Sequence, residues 1–442
     1  MLTGTSLSAA FPHGARLNER GRLEVGGCDT LELAREYGTP AYVVAEEDLQ
    51  ARARAFLQAG RAAGHADLDV VFASKAFPCT AVLELFAREG LWCDAASGGE
   101  LHLALNAGFA PERVVLHGNA KSEAELRMAL RHRVALIVLD SFDEIDRLER
   151  LIGEHALADR GPQPVLVRVT PDVRGETHEK ISTGQADSKF GFAMSDAPAA
   201  IARVEGLAGL ELRGLHAHIG SQLLSLTPFR RAARELGSLG SYPVLDLGGG
   251  LGVQYTDAQP APPSIEDYVA AVVESAREAG VGPAQRLMIE PGRALCANAA
   301  VTLYTVESVK QNVSRWVAVD GGMSDNLRPM LYGADYEAHV ADRFGGATTC
   351  VLAGKHCESG DVIVRDARLE DPRPGDIIVT PATGAYGYAL ANNYNGVPRA
   401  PVIFCRDGEA RVVVRRESLE DLTARDVPRR ESLDDLTARD VR

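Results

Sequence analysis

Beyond about residue 40, short β-branched runs alternate with segments rich in Ala, Leu, Glu and Arg. The runs predict strands at Val70–Lys75, Leu91–Ser97, Val114–Gly118, Ala135–Ser141, Pro164–Thr170, Gly214–Ser221, Val244–Gly248 and Leu287–Glu290. Helical patterns lie between them, at Thr80–Glu89, Gly99–Ala107, Glu123–Arg131 and Phe142–Ile152. Continuous apolar strand cores, rather than alternating ones, signal burial on both faces. Eight such strand–helix units predict an α/β fold, a (β/α)8 barrel of the TIM type. The rival, a doubly wound sheet, calls for fewer strands before the pattern changes.

The pattern changes near residue 300. Val301–Val309, Arg315–Val319, Ala347–Ala353, Asp361–Ala367, Asp376–Thr380, Val402–Arg406 and Ala410–Arg415 read as strands separated by Gly-, Pro- and Asp-rich turns. The expected organisation is an N-terminal segment (1–40) joining a mostly β, barrel- or sandwich-like domain (298–414), with the barrel at 41–297. The polar stretch Thr170–Asp187 follows a barrel strand on the side where active-site loops lie, and reads either as a lid or as a plain surface loop. The tail repeats itself: RRESLEDLTARDVP at 415–428 precedes RRESLDDLTARDVR at 429–442. The first copy is expected to dock and the second to fray.

Lys+Arg is 47 against 61 Asp+Glu, a formal charge of -14, which disfavours non-specific binding to nucleic acid or an anionic membrane. No apolar stretch is long enough to span a bilayer, and the first residues lack a secretory pattern. The seven cysteines form no CxxC pair, which fits a reduced, cytoplasmic protein better than a disulfide scaffold. Only six lysines occur, and several fall within the best motifs.

Lys75, in Phe72–Ala76, sits where a barrel strand opens on the active-site end; it reads as an imine-forming amine or as a surface lysine. His216 and His218 share one face of a predicted strand. No acidic or cysteine neighbour completes a metal set, leaving a ring-stacking imidazole or ordinary buried histidines. Asp246–Gly252 (DLGGGLG) offers successive backbone N–H groups to a phosphate, or a tight turn. Glu290 of EPGR closes the eighth strand with Gly292 and Arg293 beside it. In the β domain, Cys357 stands next to Glu358, and Arg328 has the fork to bind a carboxylate. A lysine, a phosphate nest, a carboxylate and a stacking histidine together match pyridoxal phosphate.

These stretches carry a resemblance. FASKAF (72–77), CDAASGGEL (93–101), HGNAKS (117–122), HEKISTG (178–184), SKFG (188–191), GLHAHIGSQ (214–222), DLGGGLG (246–252), EPGR (290–293), DGGMSDNLRPMLYGA (320–334), GKHCESGD (354–361) and GAYGYALANNYN (384–395) resemble the diaminopimelate decarboxylases, fold-type III (alanine racemase-like) pyridoxal-phosphate enzymes. The resemblance implies decarboxylation of meso-2,6-diaminopimelate to L-lysine and CO2 by a head-to-tail homodimer with composite active sites. It further implies that Lys75 bonds the cofactor, His218 stacks on its ring and Glu290 pairs with its pyridine nitrogen. Ser221, Gly249, Gly250, Gly292, Arg293 and Tyr386 would lie on the phosphate side. Arg293, Arg328, Tyr332 and Tyr386 would meet the substrate. Cys357 would donate a proton and Glu358 read the distal ammonium, both from the second subunit. No metal is implied. A related decarboxylase of arginine, ornithine or carboxynorspermidine type is the nearest alternative; a racemase or a non-catalytic cofactor carrier stands further off. Leu390 and Asn392 depart from the family pattern, where methionine and serine are common.

Overall fold

In the computed structural model the described residues are 7–154, 161–173, 188–282 and 284–427. Eight parallel strands close into a barrel: Leu68–Ala73, Trp92–Ala95, Val114–Leu116, Leu136–Leu139, Gln163–Thr170, Leu210–His216, Val244–Asp246 and Arg286–Ile289. The eighth pairs with the first and the fourth with the fifth, so no edge is left among them. Alternate residues on each strand divide between two cores. Val71, Trp92, Val115, Leu136, Val138, Leu166, Val244 and Met288 fill the barrel interior. Val70, Phe72, Cys93, Val114 and Ile137 face the surrounding helices. This two-sided burial is why the strands read as continuous apolar runs.

The second domain is built on the long strand Ala300–Gln311. It pairs antiparallel with Arg315–Val319, Ile377–Pro381 and Ala41–Ala45. Val402–Arg406 adds to Ala41–Ala45 in parallel, and Thr348–Ala353 and Val362–Leu369 extend the other side. The sequence reading opens the barrel at residue 41. In the structure Ala41–Ala45 is hydrogen-bonded into the β sheet, and the chain enters the barrel with the helix Glu46–Ala62. Tyr42 and Val44 point to the main core while Val43 joins the β-domain core, so this strand joins the two domains.

The first tail repeat docks through arginine. Arg416 donates to the carbonyls of Tyr37 and Pro40, at 3.4 and 2.9 Å, and Arg415 pairs with Asp421. Its helix is a single 3-10 turn, Asp421–Thr423. The second copy and HEKISTG at 178–184 lie outside the described residues, as does most of the predicted lid. No described helix is long and apolar enough to cross a membrane.

Candidate active site

The site lies at the C-terminal rim of the barrel strands. The first strand stops at Ala73, two residues earlier than the sequence pattern suggests, and Lys75 rides the 3-10 turn Ser74–Ala76. That turn needs Gly292 beneath it, because a Cβ there would stand 3.0 Å from the Cβ of Ala73 and 3.2 Å from that of Ala76. Lys75 Nζ is 3.8 Å from Asp94 Oδ2, and its side chain remains 47% exposed at the mouth. Burial of the amine favours its neutral form. Asp94, Tyr386 and Glu290 outweigh that and raise its pKa above the usual lysine value. Free Lys75 is therefore an ammonium, paired with Asp94.

The sixth strand ends at His216, earlier than expected, so the two histidines do not share a strand face. Gly214 locks the strand's register against the seventh: a Cβ there would meet Val244 O at 1.8 Å. His216 points into the base of the site, where its Nε2 lies 3.3 Å from Glu290 Oε2. His218 lies beyond the strand, and its Nδ1 accepts the Gly249 N–H at 3.2 Å. Burial and the Lys75 ammonium push the His218 pKa well below its ordinary value, so the ring is neutral. A neutral, oriented imidazole beside Lys75 suits packing on a flat aromatic cofactor.

Glu290 is 4% exposed, with its other oxygen 2.8 Å from His117 Nε2. Burial alone would raise its pKa; His117 and His216 more than reverse this and hold it well below the carboxylate range. Burial drives His216 down to about 4. Fully buried Asp246 is pushed well above its usual value by burial and by Glu290. The negative charge of this pair therefore sits on Glu290. The sequence offered no carboxylate beside the histidines, but the seventh strand and the segment after the eighth bring two. Ligating atoms of His117, His216, Asp246 and Glu290 lie within 4.8 Å of one another, a spacing that a metal ion could also use.

Above this cluster, Gly249 and Gly250 pass so close to neighbouring backbone that a Cβ would be 2.1 Å from Glu290 O or 2.6 Å from Gly220 O. Arg293 donates to Ser221 Oγ at 2.8 Å and to the hydroxyl of Tyr255, and its guanidinium lies 4.9 Å from the Tyr386 ring centroid. Tyr386 holds a φ of 64° and donates its N–H to Ala76 O at 2.7 Å, tying it to the Lys75 turn. Arg328 donates to the hydroxyl of Tyr336, and its guanidinium lies 4.7 Å from the Tyr255 ring centroid. Arg293 and Arg328 are 6% and 5% exposed. Among the described residues neither pairs with a carboxylate. Two buried guanidinium groups without counter-charge are costly unless an anionic ligand completes them. Tyr332 ends the short helix Arg328–Tyr332 and is half-buried.

Cys357 and Glu358 stand apart. Both are exposed; they bond Asn395 and Tyr394, and Glu358 O accepts the Asp361 N–H at 3.0 Å. No described contact joins them to Lys75, Glu290 or the two arginines. Asp361 shapes their turn by accepting the N–H groups of Met323 at 2.7 Å and His356 at 2.9 Å. Asn392 is anchored by donating to Met323 O at 3.2 Å.

Sequence reasoning passed over Asp94, His117, Arg168, Tyr255 and Tyr336. Asp94 and His117 lay inside quoted motifs. Arg168, buried against Asp140 at 3.7 Å and over the Phe190 ring, was visible as an arginine inside an apolar strand. Tyr255 and Tyr336 carried no local signal.

The donors fit pyridoxal phosphate. There is an amine at the mouth, an ionised carboxylate below and a cradle of Ser221, Arg293 and close-packed glycines. Buried Arg293 Nε and His216 Nδ1 also lack a hydrogen-bond partner in the described structure. Residues 47–297 match the family model of the pyridoxal-dependent decarboxylase, pyridoxal binding domain. The diaminopimelate decarboxylase of Bacillus subtilis is 46% identical, covering 93% of this chain and 97% of that protein. The chain belongs to the diaminopimelate decarboxylase family. The enzyme of that name from Actinosynnema pretiosum is 47% identical over 93% of this chain and 94% of its own. A solved diaminopimelate decarboxylase from M. jannaschii, in complex with L-lysine, superimposes with a TM-score of 0.87 at 30% identity, covering 94% of this chain and 98% of that one. Family membership accounts for the barrel with its appended β domain and for the use of pyridoxal phosphate.

Proposed function

We propose that this chain decarboxylates meso-2,6-diaminopimelate to L-lysine and CO2 as a homodimer whose subunits exchange Cys357 and Glu358. The carrying observation is the pair of buried, carboxylate-free guanidinium groups of Arg293 and Arg328 flanking Tyr255. One anion of a bound complex is the cofactor phosphate, which Arg293 meets together with Ser221 and the Gly249–Gly250 backbone. The other is a substrate carboxylate remote from the reacting carbon, which falls to Arg328, with Tyr332 beside it. The L-lysine held by the M. jannaschii relative is consistent with such a site.

Bound pyridoxal phosphate supplies an electron sink for the pair left at Cα as CO2 departs. Lys75 supplies the amine that anchors the cofactor. His218, its Nδ1 held by the Gly249 N–H, would pack against the cofactor ring. Glu290 holds a negative charge that would favour a protonated pyridine nitrogen in the bound cofactor. Arg328 would hold the far end of the substrate and so limit rotation about the bond to the scissile carboxylate. Cys357, reaching in from the second copy, returns a proton to Cα, and Glu358 reads the distal ammonium.

Purified, cofactor-loaded protein is expected to release CO2 from meso-diaminopimelate and not at comparable rates from L-lysine, L-ornithine or L-arginine, which lack the second carboxylate. Release from one of those three alone contradicts the substrate assignment. Arg328→Met should lower kcat/KM for meso-diaminopimelate by about 100-fold, the scale of a lost charge-assisted contact. Any residual turnover of L-lysine should be nearly unchanged, so the selectivity ratio, read from steady-state kinetics, collapses. An unchanged ratio removes Arg328 from substrate recognition.

A further inference from the structure

The segment that opens the duplicated tail meets the loop that carries Cys357 and Glu358. Glu417, 16% exposed, accepts from Asn393 Nδ2 at 2.6 Å, Arg399 N–H at 2.8 Å and Arg399 Nε at 2.6 Å. Its own N–H donates to Arg399 O at 3.2 Å. Burial opposes the charge on Glu417, but Arg399 and Asn393 hold its pKa below the usual range, so it bonds as a carboxylate. Asn393 also donates to Val397 O at 3.1 Å, which closes the turn containing Tyr394 and Asn395. These two residues grip the neighbouring loop: Asn395 Oδ1 accepts the Cys357 N–H at 3.0 Å, and the Tyr394 hydroxyl bonds Glu358. Asn395 does so from a φ of 55°, a left-handed conformation that asparagine adopts readily. The same loop begins at Tyr386, in the site of its own subunit.

We infer that Glu417 is a positioning residue for the Cys357–Glu358 pair, acting through the 393–397 turn. The inference rests on the reading of Cys357 and Glu358 given above. Its chemical logic is rigidity. An exposed loop bearing a proton donor for another subunit must be ordered before docking, and a charge-assisted carboxylate link from the tail supplies that order. Docking of the first repeat through Arg416 to the carbonyls of Tyr37 and Pro40 places Glu417 at the turn.

The test replaces Glu417 and also Glu431, which repeats it in RRESL at 429–433, so that the second copy cannot serve in its place. In the full-length holoenzyme carrying Glu417→Ala and Glu431→Ala, amide exchange over residues 356–360 should accelerate about tenfold, the scale of one lost charge-assisted hydrogen bond. Turnover of meso-diaminopimelate should fall with the visible absorbance of bound cofactor retained, and adding Cys357→Ala should cost far less than it does in the parent. Asn393→Ala, which spares the Arg399–Glu417 pair, should move exchange the same way and serves if the double variant does not fold. Unchanged exchange at 356–360 overturns the inference, as do fully multiplicative losses with Cys357→Ala. Wild-type turnover in Cys357→Ala alone, with exchange still accelerated in the glutamate variant, places the failure in the role given to Cys357 and removes the catalytic part of the inference with it.

Discussion

Lys75→Ala is expected to reduce turnover by about 1000-fold or more and to abolish covalent attachment of the cofactor. The amine sits on a turn fixed from both sides, by Gly292 below and by the Tyr386 N–H bonded to Ala76 O. Lys121, the next lysine along the chain, is 3% exposed and bonded to Glu144 at 2.7 Å. Lys75→Arg separates charge from nucleophilicity. It keeps a cation near Asp94 but cannot form an imine, so it should be as inactive as the alanine variant. Both variants should still retain pyridoxal phosphate non-covalently through Ser221, Arg293 and the glycine cradle. The absorption spectrum and steady-state CO2 release report these outcomes. A variant that turns over at the parent rate with the lysine-bound spectrum would remove Lys75 from the chemistry.

Glu290→Gln should lower kcat by about 100- to 1000-fold, the range seen when a preorganised electrostatic group is removed from a buried site. The substitution keeps the shape and one acceptor but deletes the charge that His117 and His216 stabilise. The loss should fall on kcat rather than KM, because the role proposed for Glu290 is toward the cofactor and not the substrate's far end. Asp246 cannot replace it. It is fully buried, its Oδ1 is taken by the Gly248 N–H at 2.9 Å, and its burial favours the protonated form. A glutamine variant with parent kcat would mean that the ring nitrogen needs no anion here.

The barrel was legible because its strands are buried on both faces and therefore stand out as unbroken apolar runs. The candidate site was legible where several of its residues share one short motif, as in EPGR and DLGGGLG. Two kinds of information were not. Strand ends depend on tertiary pairing: the sixth strand closes at His216, opposite Asp246 at the end of the seventh, which leaves His218 outside the strand. Pairings between distant segments depend on barrel closure, which alone brings His117, His216, Asp246 and Glu290 within 4.8 Å. Tyr255 and Tyr336 become meaningful only when they are seen holding Arg293 and Arg328. The short apolar run at 41–45 carries no signal of which domain it joins, and only its partners assign it to the β sheet, past the barrel boundary expected at residue 41.

The central claim is that each subunit holds the lysine, the carboxylate and the arginines, while the proton donor comes from the other copy. Mixing inactive Lys75→Ala protein with Cys357→Ala protein under conditions that allow subunit exchange tests it directly. A heterodimer then carries one site with both defects and one with neither, so activity should return to about a quarter of the parent value at equal mixing. Activity that stays at the average of the two separate variants would contradict the account and place Cys357 in the site of its own chain.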